Sequence, residues 1–365
     1  MSFSAFDYEC MASALKLAGM GLESTHPNPR VGCVITREGQ VVGKGWHKKA
    51  GEGHAEIYAL RDAGDKAAGG TAYVTLEPCS HVGRTPPCVD ALIKAKVTRV
   101  IFAIDDPNPD INGSGHQRLQ QAGIEVQSGL MVKEAEELNA GFLKRMRLGL
   151  PWVRIKLAQS MDGHIALANG SSQWISGPGS RADVQNWRAR SDAILTGIGT
   201  VLADDPSLNV RKDEAARQPA RIILDSHWRT PVNARLLQLP GQVLIAGLKD
   251  NPVPDELGKS VADCVGLPAS AGRVDIKAVL RELAVRGINE VQVEAGATLC
   301  GSLLQQGLVD ELLIYQAPVI LGGGAVSPFA LPQLDNMEDR VHLECVDSRY
   351  IGKDLRMRFK PVRQV

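Results

Sequence analysis

The chain is poor in the features that most often mark nucleic-acid binding. Aromatic residues make up 4% of its 365 residues, and basic and acidic side chains are balanced at 41 each. Residues 1–149 alone carry 17 of each sign. A protein that binds RNA or DNA typically shows a basic stripe with stacking aromatics. The composition therefore argues against a nucleic-acid editing enzyme and predicts no nucleic-acid partner.

Long apolar runs and secretion signals are also lacking. No run approaches the roughly 18 apolar residues of a membrane helix, and the N-terminus MSFSAFDYEC has no basic region followed by an apolar core. Seven cysteines, an odd number without a secretion signal, argue against a disulfide framework. We therefore expect a soluble, cytoplasmic protein with no membrane partner, whose reduced thiols can bind metal.

The length and the 44% apolar content predict two domains. Helical spacing over residues 7–18 is followed by a hairpin pattern, VGCVITREGQVVGKGW, with its turn at Glu38-Gly39. Helices and strands then alternate along the chain: the helix HAEIYALRDAG, the strand TAYVTLE, the helix CVDALIKAKV and the strand RVIFAI. A last helix is predicted over 133–147. This alternation predicts an α/β domain with a largely parallel sheet. The short stretch LGLPW places the domain boundary near Gly149, giving domains 1–149 and 150–365.

The second domain begins its own β/α series. Its strand-like segments are WVRIKLAQS, DAILTG, RIILDS, QVLIAG, EVQVEAG and ELLIYQAPVI. Residues 249–273 show no clear period, and they are predicted to be loop with one short strand at most.

A metal-ligand pattern lies in the first domain. His54 precedes an apolar helix, and Cys79 and Cys88 bracket a loop further along the chain. One imidazole and two thiolates suit zinc better than magnesium or calcium, and three protein ligands leave the fourth position open, as in catalytic zinc sites. A catalytic zinc lowers the pKa of its bound water to near neutrality. The pattern therefore predicts a catalytic Zn²⁺, one per chain.

Glu56 lies two residues from His54 on the same helical turn, where a carboxylate can move a proton between water and substrate. Two alternatives stay open. One is a closed structural site in which His81 supplies a fourth ligand and Glu56 is a solvated helix residue, as in a zinc-stabilised interaction module. The other is a pair of ordinary buried cysteines without metal.

His-Ala-Glu followed by Pro-Cys and a second cysteine resembles the zinc nucleoside and nucleobase deaminases. The common pattern has two residues between the cysteines, whereas this chain has eight, SHVGRTPP. With HPNPRVGCV and TLEPCSHVGRTPPC, the chain resembles the bifunctional deaminase/reductases of riboflavin biosynthesis. The reductase half of that family is matched by KLAQSMDGHIA, SQWIS, GIGTVLADDPSLNVR and VEAGATLCGSLL. The resemblance therefore spans almost the whole chain.

The resemblance implies a cytidine-deaminase-like three-layer αβα domain that deaminates a diaminopyrimidinone ribosyl phosphate. His54, Cys79 and Cys88 would hold zinc, and Glu56 would carry protons. Asn28, in HPNP, is our candidate for the pyrimidine edge, and a turn-shaping role between prolines is its alternative. His81 is a candidate either for substrate phosphate or for capping its loop.

For the second half, the resemblance implies a dihydrofolate-reductase-like α/β domain that uses NADPH to reduce the ribosyl group to ribityl. The implied cofactor-site residues are Ala158, Trp174, Thr200, Asp204, Ser226, Gly296, Ala297, Thr298, Leu299, Cys300, Gly301 and Ser302. The implied substrate-site residues are Ser172, Arg188, Asp204, Leu208, Arg211 and Glu294.

Residue type and local pattern also give an interpretation of several of these residues without the resemblance. The strand, glycine and helix around Gly296 aim backbone N–H groups at an anion such as a diphosphate, but the lysine of a phosphate-transfer loop is missing. TGIGTV matches a dinucleotide-binding fingerprint only in its first Gly-x-Gly, and a tight strand-to-helix turn is its alternative. Trp174 alone reads as a core aromatic. Arg188 and Arg211 suit phosphate, and surface salt bridges are the alternative.

Asp204 is the predicted acid of the reductase. It lies in ADDPSLNVR, where its alternative role is an Asx-type cap ahead of Pro206. An acid is needed beside the carbon that receives hydride, and Asp204 would assist ring opening and donate a proton there. We expect a small-molecule substrate and a homo-oligomer, either a dimer or a tetramer.

Overall fold

The computed structural model describes residues 3–80, 86–107, 113–212 and 217–362. The contacts of the chain divide it into two compact units, Met1–Gly149 and Leu150–Val365. Within the described residues, no helix has both the length and the apolar character that crossing a bilayer requires.

The first unit is built around one five-stranded sheet in the order β2-β1-β3-β4-β5. Its strands are β1 (Gly32–Arg37), β2 (Gln40–Trp46), β3 (Thr71–Val74), β4 (Arg99–Phe102) and β5 (Glu125–Ser128). Its helices are α1 (Ala5–Gly19), α2 (Ala55–Ala63), α3 (Cys88–Lys94), α4 (Ser114–Gln121), α5 (Val132–Leu138) and α6 (Ala140–Leu148), with a 3-10 turn at Gly64–Ala67.

The sheet of the first unit is mixed, so the expectation of a largely parallel sheet is wrong here. β3, β4 and β5 run parallel, whereas β1 is antiparallel to both β2 and β3. The antiparallel pairing of β1 and β2 follows from the two-residue turn predicted from the sequence. Glu38 and Gly39 both have positive φ, 50° and 73°, which is the geometry that folds one strand tightly back on the other.

Apolar cores lie on both faces of this sheet, which gives the three layers expected. One core packs Ala55 and Ala59 of α2 and Leu92 of α3 against the sheet. The other packs Met11 and Ala14 of α1 with residues of α5 and α6. The helix predicted over 133–147 is broken at Asn139. The Asn139 amide accepts the N–H of Arg30 at 2.8 Å and donates to its carbonyl at 2.9 Å, so it bonds outside the helix.

The second unit contains a nine-stranded sheet and a short hairpin. Its strands are β6 (Trp152–Gln159), β7 (Ala193–Gly197), β8 (Ala220–Leu224), β9 (Val243–Leu248), β10 (Asp263–Leu267), β11 (Ala269–Ser270), β12 (Arg273–Val274), β13 (Glu290–Val293), β14 (Glu311–Gln316), β15 (Leu343–Ile351) and β16 (Asp354–Pro361). Its helices are α7 (Pro178–Arg190), α8 (Ile198–Asp204), α9 (Arg235–Gln238), α10 (Asp255–Gly258), α11 (Ile276–Val285) and α12 (Ala297–Gln305), with a 3-10 turn at Met337–Asp339.

The order of the large sheet is β10-β9-β8-β7-β13-β6-β14-β16-β15. The first seven strands in this order are parallel, and β14, β16 and β15 pair antiparallel. All six strands predicted in this half are confirmed. Residues 249–273 contain more structure than predicted, since they hold α10, β10, β11 and the start of β12. The hairpin of β15 and β16 was not predicted.

Parallel strands bring their carboxyl ends to one edge of the sheet. The loops that follow β6, β7, β8 and β13 therefore meet at that edge, because these four strands are neighbours in the sheet. In open α/β sheets this edge is where ligands bind.

Candidate active sites

The three predicted zinc ligands meet at the ends of two helices in the first unit. His54 is the residue that precedes α2, Cys88 is the first residue of α3, and Cys79 lies beyond the end of β3. Their ligand atoms all lie within 4.8 Å of one another. This is the one such His, Cys, Asp and Glu group found among the residues that the structure describes.

The distances between these atoms fit one zinc ion. Nδ1 of His54 is 3.5 Å from Sγ of Cys79 and 3.2 Å from Sγ of Cys88. Zinc binds nitrogen at about 2.0–2.1 Å and sulfur at about 2.3 Å, which in a tetrahedron separates the two ligand atoms by roughly 3.6 Å. The donor set therefore fits zinc, with Nδ1 as the imidazole ligand.

The surroundings of Cys79 favour its thiolate form. The pKa of Cys79 falls to about 4, first because Cys88 donates to it and also because of His54. The backbone N–H of Cys88 points at the same sulfur, 3.4 Å away. Thiolate is the form that binds metal.

Glu56 lies on the first turn of α2 and is 3% exposed, so the reading of this residue as a solvated helix position is wrong. Its Oε2 is buried, and no hydrogen-bond partner for it exists among the described residues. The pKa of Glu56 is raised to about 7, first by burial and then by the Cys79 sulfur, and His54 opposes both. A buried carboxylate with an unused oxygen beside a metal site suits proton transfer.

Glu77 holds the chain that leads to Cys79. Its buried carboxylate accepts backbone N–H groups from Asp106 at 3.2 Å, Gly113 at 3.0 Å and His116 at 3.1 Å. These bonds hold the segment between β3 and Cys79 against the segment that follows β4. They therefore help to fix the position of Cys79.

Asn28 lies near the metal group through one intermediate side chain, His47. Nδ2 of Asn28 is 3.0 Å from Nε2 of His47, and the His47 ring packs edge-on against the His54 ring with centroids 5.3 Å apart. The Asn28 backbone N–H also bonds to the Thr25 carbonyl at 2.9 Å, so the residue lies in the turn given as its alternative role. Burial lowers the pKa of His47, the Gly53 carbonyl opposes this shift, and His54 adds to it. His47 was not predicted from the sequence, because no local pattern marks it. His81, the other candidate of this region, lies outside the described residues.

In the second unit, the implied cofactor residues follow the carboxyl ends of four neighbouring strands. Ala158 is near the end of β6, Thr200 is on α8 just after β7, Ser226 follows β8 and Gly296 follows β13. Ser226 Oγ accepts the N–H of Val274 at 3.0 Å. The edge expected for a ligand therefore collects residues that lie far apart in sequence.

Gly296 precedes α12, so the predicted order of strand, glycine and helix is confirmed. The space where a Gly296 side chain would lie is open, and the first N–H groups of α12 have no partner within the helix. This arrangement fits a diphosphate. Cys300 and Gly301 are buried, and a Cβ at Gly301 would lie 2.4 Å from the Ala330 carbonyl oxygen. Ala297, Thr298, Leu299 and Ser302 are at least partly exposed.

Trp174 is 69% exposed, so the reading of it as a core aromatic is wrong. The Arg181 guanidinium lies 4.7 Å from the centre of its ring. Ser172 is half-buried two residues earlier. An exposed aromatic face of this kind can stack on a planar ligand.

Arg188 and Glu294 form a buried pair, so the reading of Arg188 as a surface salt bridge is wrong. Nε and one terminal nitrogen of Arg188 donate to the two Glu294 oxygens at 2.7 and 2.8 Å, and the other terminal nitrogen donates to the Asn209 carbonyl at 3.0 Å. Burial alone would raise the pKa of Glu294, but Arg188, with help from Lys156, lowers it to about 2. Lys156, on β6, was not among the predicted site residues.

The loop after α8 carries the remaining substrate candidates. Asp204 ends α8 and is exposed, whereas its neighbour Asp205 makes the cap-like contact by accepting the Arg235 N–H at 2.7 Å. Leu208 is buried with a positive φ of 45°, an unusual conformation for leucine that is common near functional sites. Arg211 is exposed, and its pKa is lowered, by desolvation first and then by the Arg188 charge.

Comparison with known proteins matches both units. Residues 4–104 match the cytidine and deoxycytidylate deaminase zinc-binding region, and residues 151–357 match the RibD C-terminal domain. The riboflavin biosynthesis protein RibD of Escherichia coli (strain K12) is 51% identical over 358 residues, which cover 94% of this chain and 96% of the relative. The chain belongs to the RibD family.

Solved RibD structures agree with this assignment. Form 1 of Acinetobacter baumannii RibD superposes with a TM-score of 0.92 at 45% identity and covers 98% of this chain and 99% of its own. A Thermotoga maritima structure with a TM-score of 0.87 and 30% identity, covering 98% of this chain and 99% of its own, is described as a diaminohydroxyphosphoribosylaminopyrimidine deaminase/5-amino-6-(5-phosphoribosylamino)uracil reductase.

As a member of the RibD family, the chain is a bifunctional deaminase and reductase of riboflavin biosynthesis. Its cofactors are zinc and NADPH. The readings of the cysteines as metal-free core residues and of the chain as an interaction module are therefore wrong. The expected fold, a cytidine-deaminase-like domain joined to a RibD reductase domain, is confirmed.

Proposed function

We propose that residues 1–149 remove the C2 amine of a diaminopyrimidinone ribosyl phosphate as ammonia, and that residues 150–365 reduce its ribosyl group to ribityl with NADPH. The two activities by which the Thermotoga maritima relative is described support this substrate. The observation that carries the proposal is the meeting of three zinc donors, His54, Cys79 and Cys88, beside a buried Glu56 with an unused oxygen.

In the deaminase site, zinc held by these three residues supplies Lewis acidity that activates water. Glu56 takes one proton of the attacking water on its Oε2 and delivers it to the ring nitrogen. It then takes the proton of the new C2 hydroxyl and delivers it to the amine, which leaves as ammonia while the C2 carbonyl forms. Glu56 is buried on the first turn of α2, two residues from a zinc ligand, so its carboxyl group lies where it can exchange protons with the attacking water. Asn28 holds the edge of the pyrimidine.

In the reductase site, NADPH supplies hydride. Gly296 and the N-terminal end of α12 receive the diphosphate. Cys300 and Gly301 are buried and hold this segment against the core, and the Cys300 N–H already bonds to the Gly296 carbonyl at 3.2 Å. Trp174 stacks on a ring of the cofactor, and Ala158, Thr200 and Ser226 line the sheet edge.

The ribosyl phosphate lies between Ser172, Leu208 and Arg211, with Arg211 as the phosphate ligand. Arg188 has a positioning role, because its guanidinium already donates to Glu294 and to the Asn209 carbonyl. Glu294, held ionised by this pair, faces the substrate. Asp204 assists ring opening and donates the proton that accompanies hydride transfer.

The location and assembly follow from other features. All seven cysteines are free thiols, which is typical of a reducing compartment, so we place the protein in the cytoplasm. β15 forms an edge of its sheet and exposes Leu343, Val346 and Tyr350. Unpaired edges with exposed apolar residues favour association with another chain, which supports a dimer or a tetramer. Light scattering of the wild type and of Tyr350→Lys tests this assembly.

The experiment that tests the function is incubation of the purified chain with the diaminopyrimidinone ribosyl phosphate, with ammonia and NADPH absorbance followed together. We expect ammonia release without NADPH, and NADPH consumption only after deamination has begun. Absence of either signal would contradict the corresponding half of the proposal.

A further inference from the structure

His47 connects the metal group to Asn28 through two hydrogen bonds of different kind. The ring is 1% exposed. Its Nδ1 lies 3.1 Å from the carbonyl oxygen of Gly53, and its Nε2 lies 3.0 Å from the Asn28 side-chain amide. Both ring nitrogens are therefore engaged, one with the backbone just before His54 and the other with a candidate substrate residue.

The Gly53 contact decides which nitrogen carries the proton. A carbonyl oxygen can only accept, so Nδ1 of His47 must donate to it. In the neutral ring Nε2 is then a bare acceptor. Only the NH₂ group of Asn28 can satisfy a bare nitrogen, so the amide is turned with Nδ2 toward His47 and with Oδ1 away from it.

The backbone of Asn28 is fixed as well, because its N–H closes the turn onto the Thr25 carbonyl at 2.9 Å. The remaining freedom of the residue is rotation of its amide, which exchanges an acceptor for a donor with almost no change in shape. His47 removes that freedom. The His47 ring packs on the His54 ring at 5.3 Å between centroids, so the amide is fixed one side chain away from a zinc ligand.

We propose that His47 is a positioning residue that fixes the amide of Asn28, so that Oδ1 is offered as an acceptor to a ring N–H of the pyrimidinone. This inference rests on the proposed function of the first unit. A free amide could turn its NH₂ group toward the substrate, where two donors would face each other and leave a buried group unpaired. His47 would therefore select a lactam N–H edge over a ring that presents a bare nitrogen at the same place.

Two substitutions of His47 separate its two bonds. His47→Asn keeps an amide near Nδ1 that can donate to Gly53 but has no group that reaches Asn28. His47→Gln places a carbonyl oxygen near Nε2 that can accept from Asn28, and it loses the bond to Gly53. We expect His47→Asn to lower kcat/KM of deamination about 10- to 100-fold, the range for one lost hydrogen bond to a buried group. His47→Gln should stay closer to wild type.

The decisive measurement is a double-mutant cycle on kcat/KM of deamination with His47→Asn, Asn28→Ala and both together. If His47 acts through Asn28, adding His47→Asn to Asn28→Ala should change the rate by less than about twofold. Additive losses, or a larger loss in His47→Gln than in His47→Asn, would overturn the proposal. Zinc content and NADPH oxidation with pre-deaminated substrate, measured in every variant, control for folding.

A second readout does not depend on turnover. The ¹⁵N spectrum of the zinc-loaded protein with labelled histidine should show the Nδ1–H tautomer for His47, and the Nε2–H tautomer would overturn the proposal. If wild type releases no ammonia from the diaminopyrimidinone, the proposed function fails. If it releases ammonia but the cycle is additive, this inference alone fails.

Discussion

Arg188 on α7 donates to both carboxylate oxygens of Glu294, the residue that follows β13, at 2.7 and 2.8 Å. The two residues are 106 positions apart, and both side chains are close to nine-tenths buried. The pair therefore fixes a charged carboxylate at the carboxyl edge of the sheet, where the ribosyl group is proposed to lie.

Removal of Arg188 should destabilise the second unit. Arg188→Ala leaves a buried carboxylate without its partner, and we expect a loss of about 3–5 kcal/mol in the free energy of unfolding. Arg211→Ala, an exposed arginine of the same region, is the matched control, with an expected change within about 0.5 kcal/mol. Urea unfolding followed by tryptophan fluorescence measures both, since four of the five tryptophans belong to this unit. Equal, small changes would contradict a buried pair.

Acid should weaken the same pair. The folded-state pKa of Glu294 is about 2, below its ordinary value of 4.5, so its stabilisation is complete above about pH 4.5 and is lost as pH falls toward 2. Unfolding free energies of wild type measured between pH 5 and 3 should therefore fall more steeply than those of Glu294→Gln. Parallel curves would show that the carboxylate does not contribute in this window.

Asp204→Asn should slow NADPH consumption about 10²-fold or more and leave ammonia release unchanged, because the proposed acid belongs to one site only. Asp204 is exposed, so the fold should tolerate the change. Its neighbour Asp205 is the matched control, and Asp205→Asn should retain NADPH consumption. An equal loss of both activities in Asp204→Asn, or equal effects of the two variants, would remove Asp204 from the mechanism.

Arg211→Ala should raise the KM of the reductase for substrate more than its KM for NADPH, because a lost phosphate contact weakens ground and transition states alike. Arg211→Lys, which keeps the charge and loses the planar fork, should fall between the two. Steady-state kinetics with each reactant varied in turn measures this. An unchanged KM for substrate would return Arg211 to the solvated surface.

Elements with local signals could be predicted from the sequence. The β1 and β2 hairpin, α2 and six of the seven parallel strands of the second unit each carry their own period and turn residues. The break at Asn139 could not be predicted, because the Arg30 backbone that its amide binds lies 109 residues away. The C-terminal hairpin lacks a strong alternation because β15 is exposed along almost its whole length.

The candidate sites divide in the same way. The zinc ligands and Glu56 could be predicted because residue type and spacing carry the chemistry. Asn28 could be named, but its contact with His47 depends on the tertiary fold. The ion pair of Arg188 with Glu294 likewise depends on the packing of elements that lie far apart in sequence. The exposure of Trp174 could not be predicted either, because it depends on which elements pack over the side chain.

The central claim is that Glu56 carries protons for a zinc-dependent deaminase that works independently of the reductase, and Glu56→Gln tests it most directly. Gln has nearly the same shape and can still accept a hydrogen bond, so the donor set of His54, Cys79 and Cys88 should keep its zinc. It cannot carry a proton, and a general acid–base group contributes about 10²–10⁴-fold.

The measurement is ammonia release by Glu56→Gln, with zinc content and reduction of pre-deaminated substrate determined on the same preparation. We expect deamination to fall by about 10⁴-fold, since one carboxylate serves several proton transfers, while zinc and the reductase rate stay at wild-type values. Loss of zinc, or deamination within a few-fold of wild type, would contradict the account and make His81 the first candidate for the proton carrier.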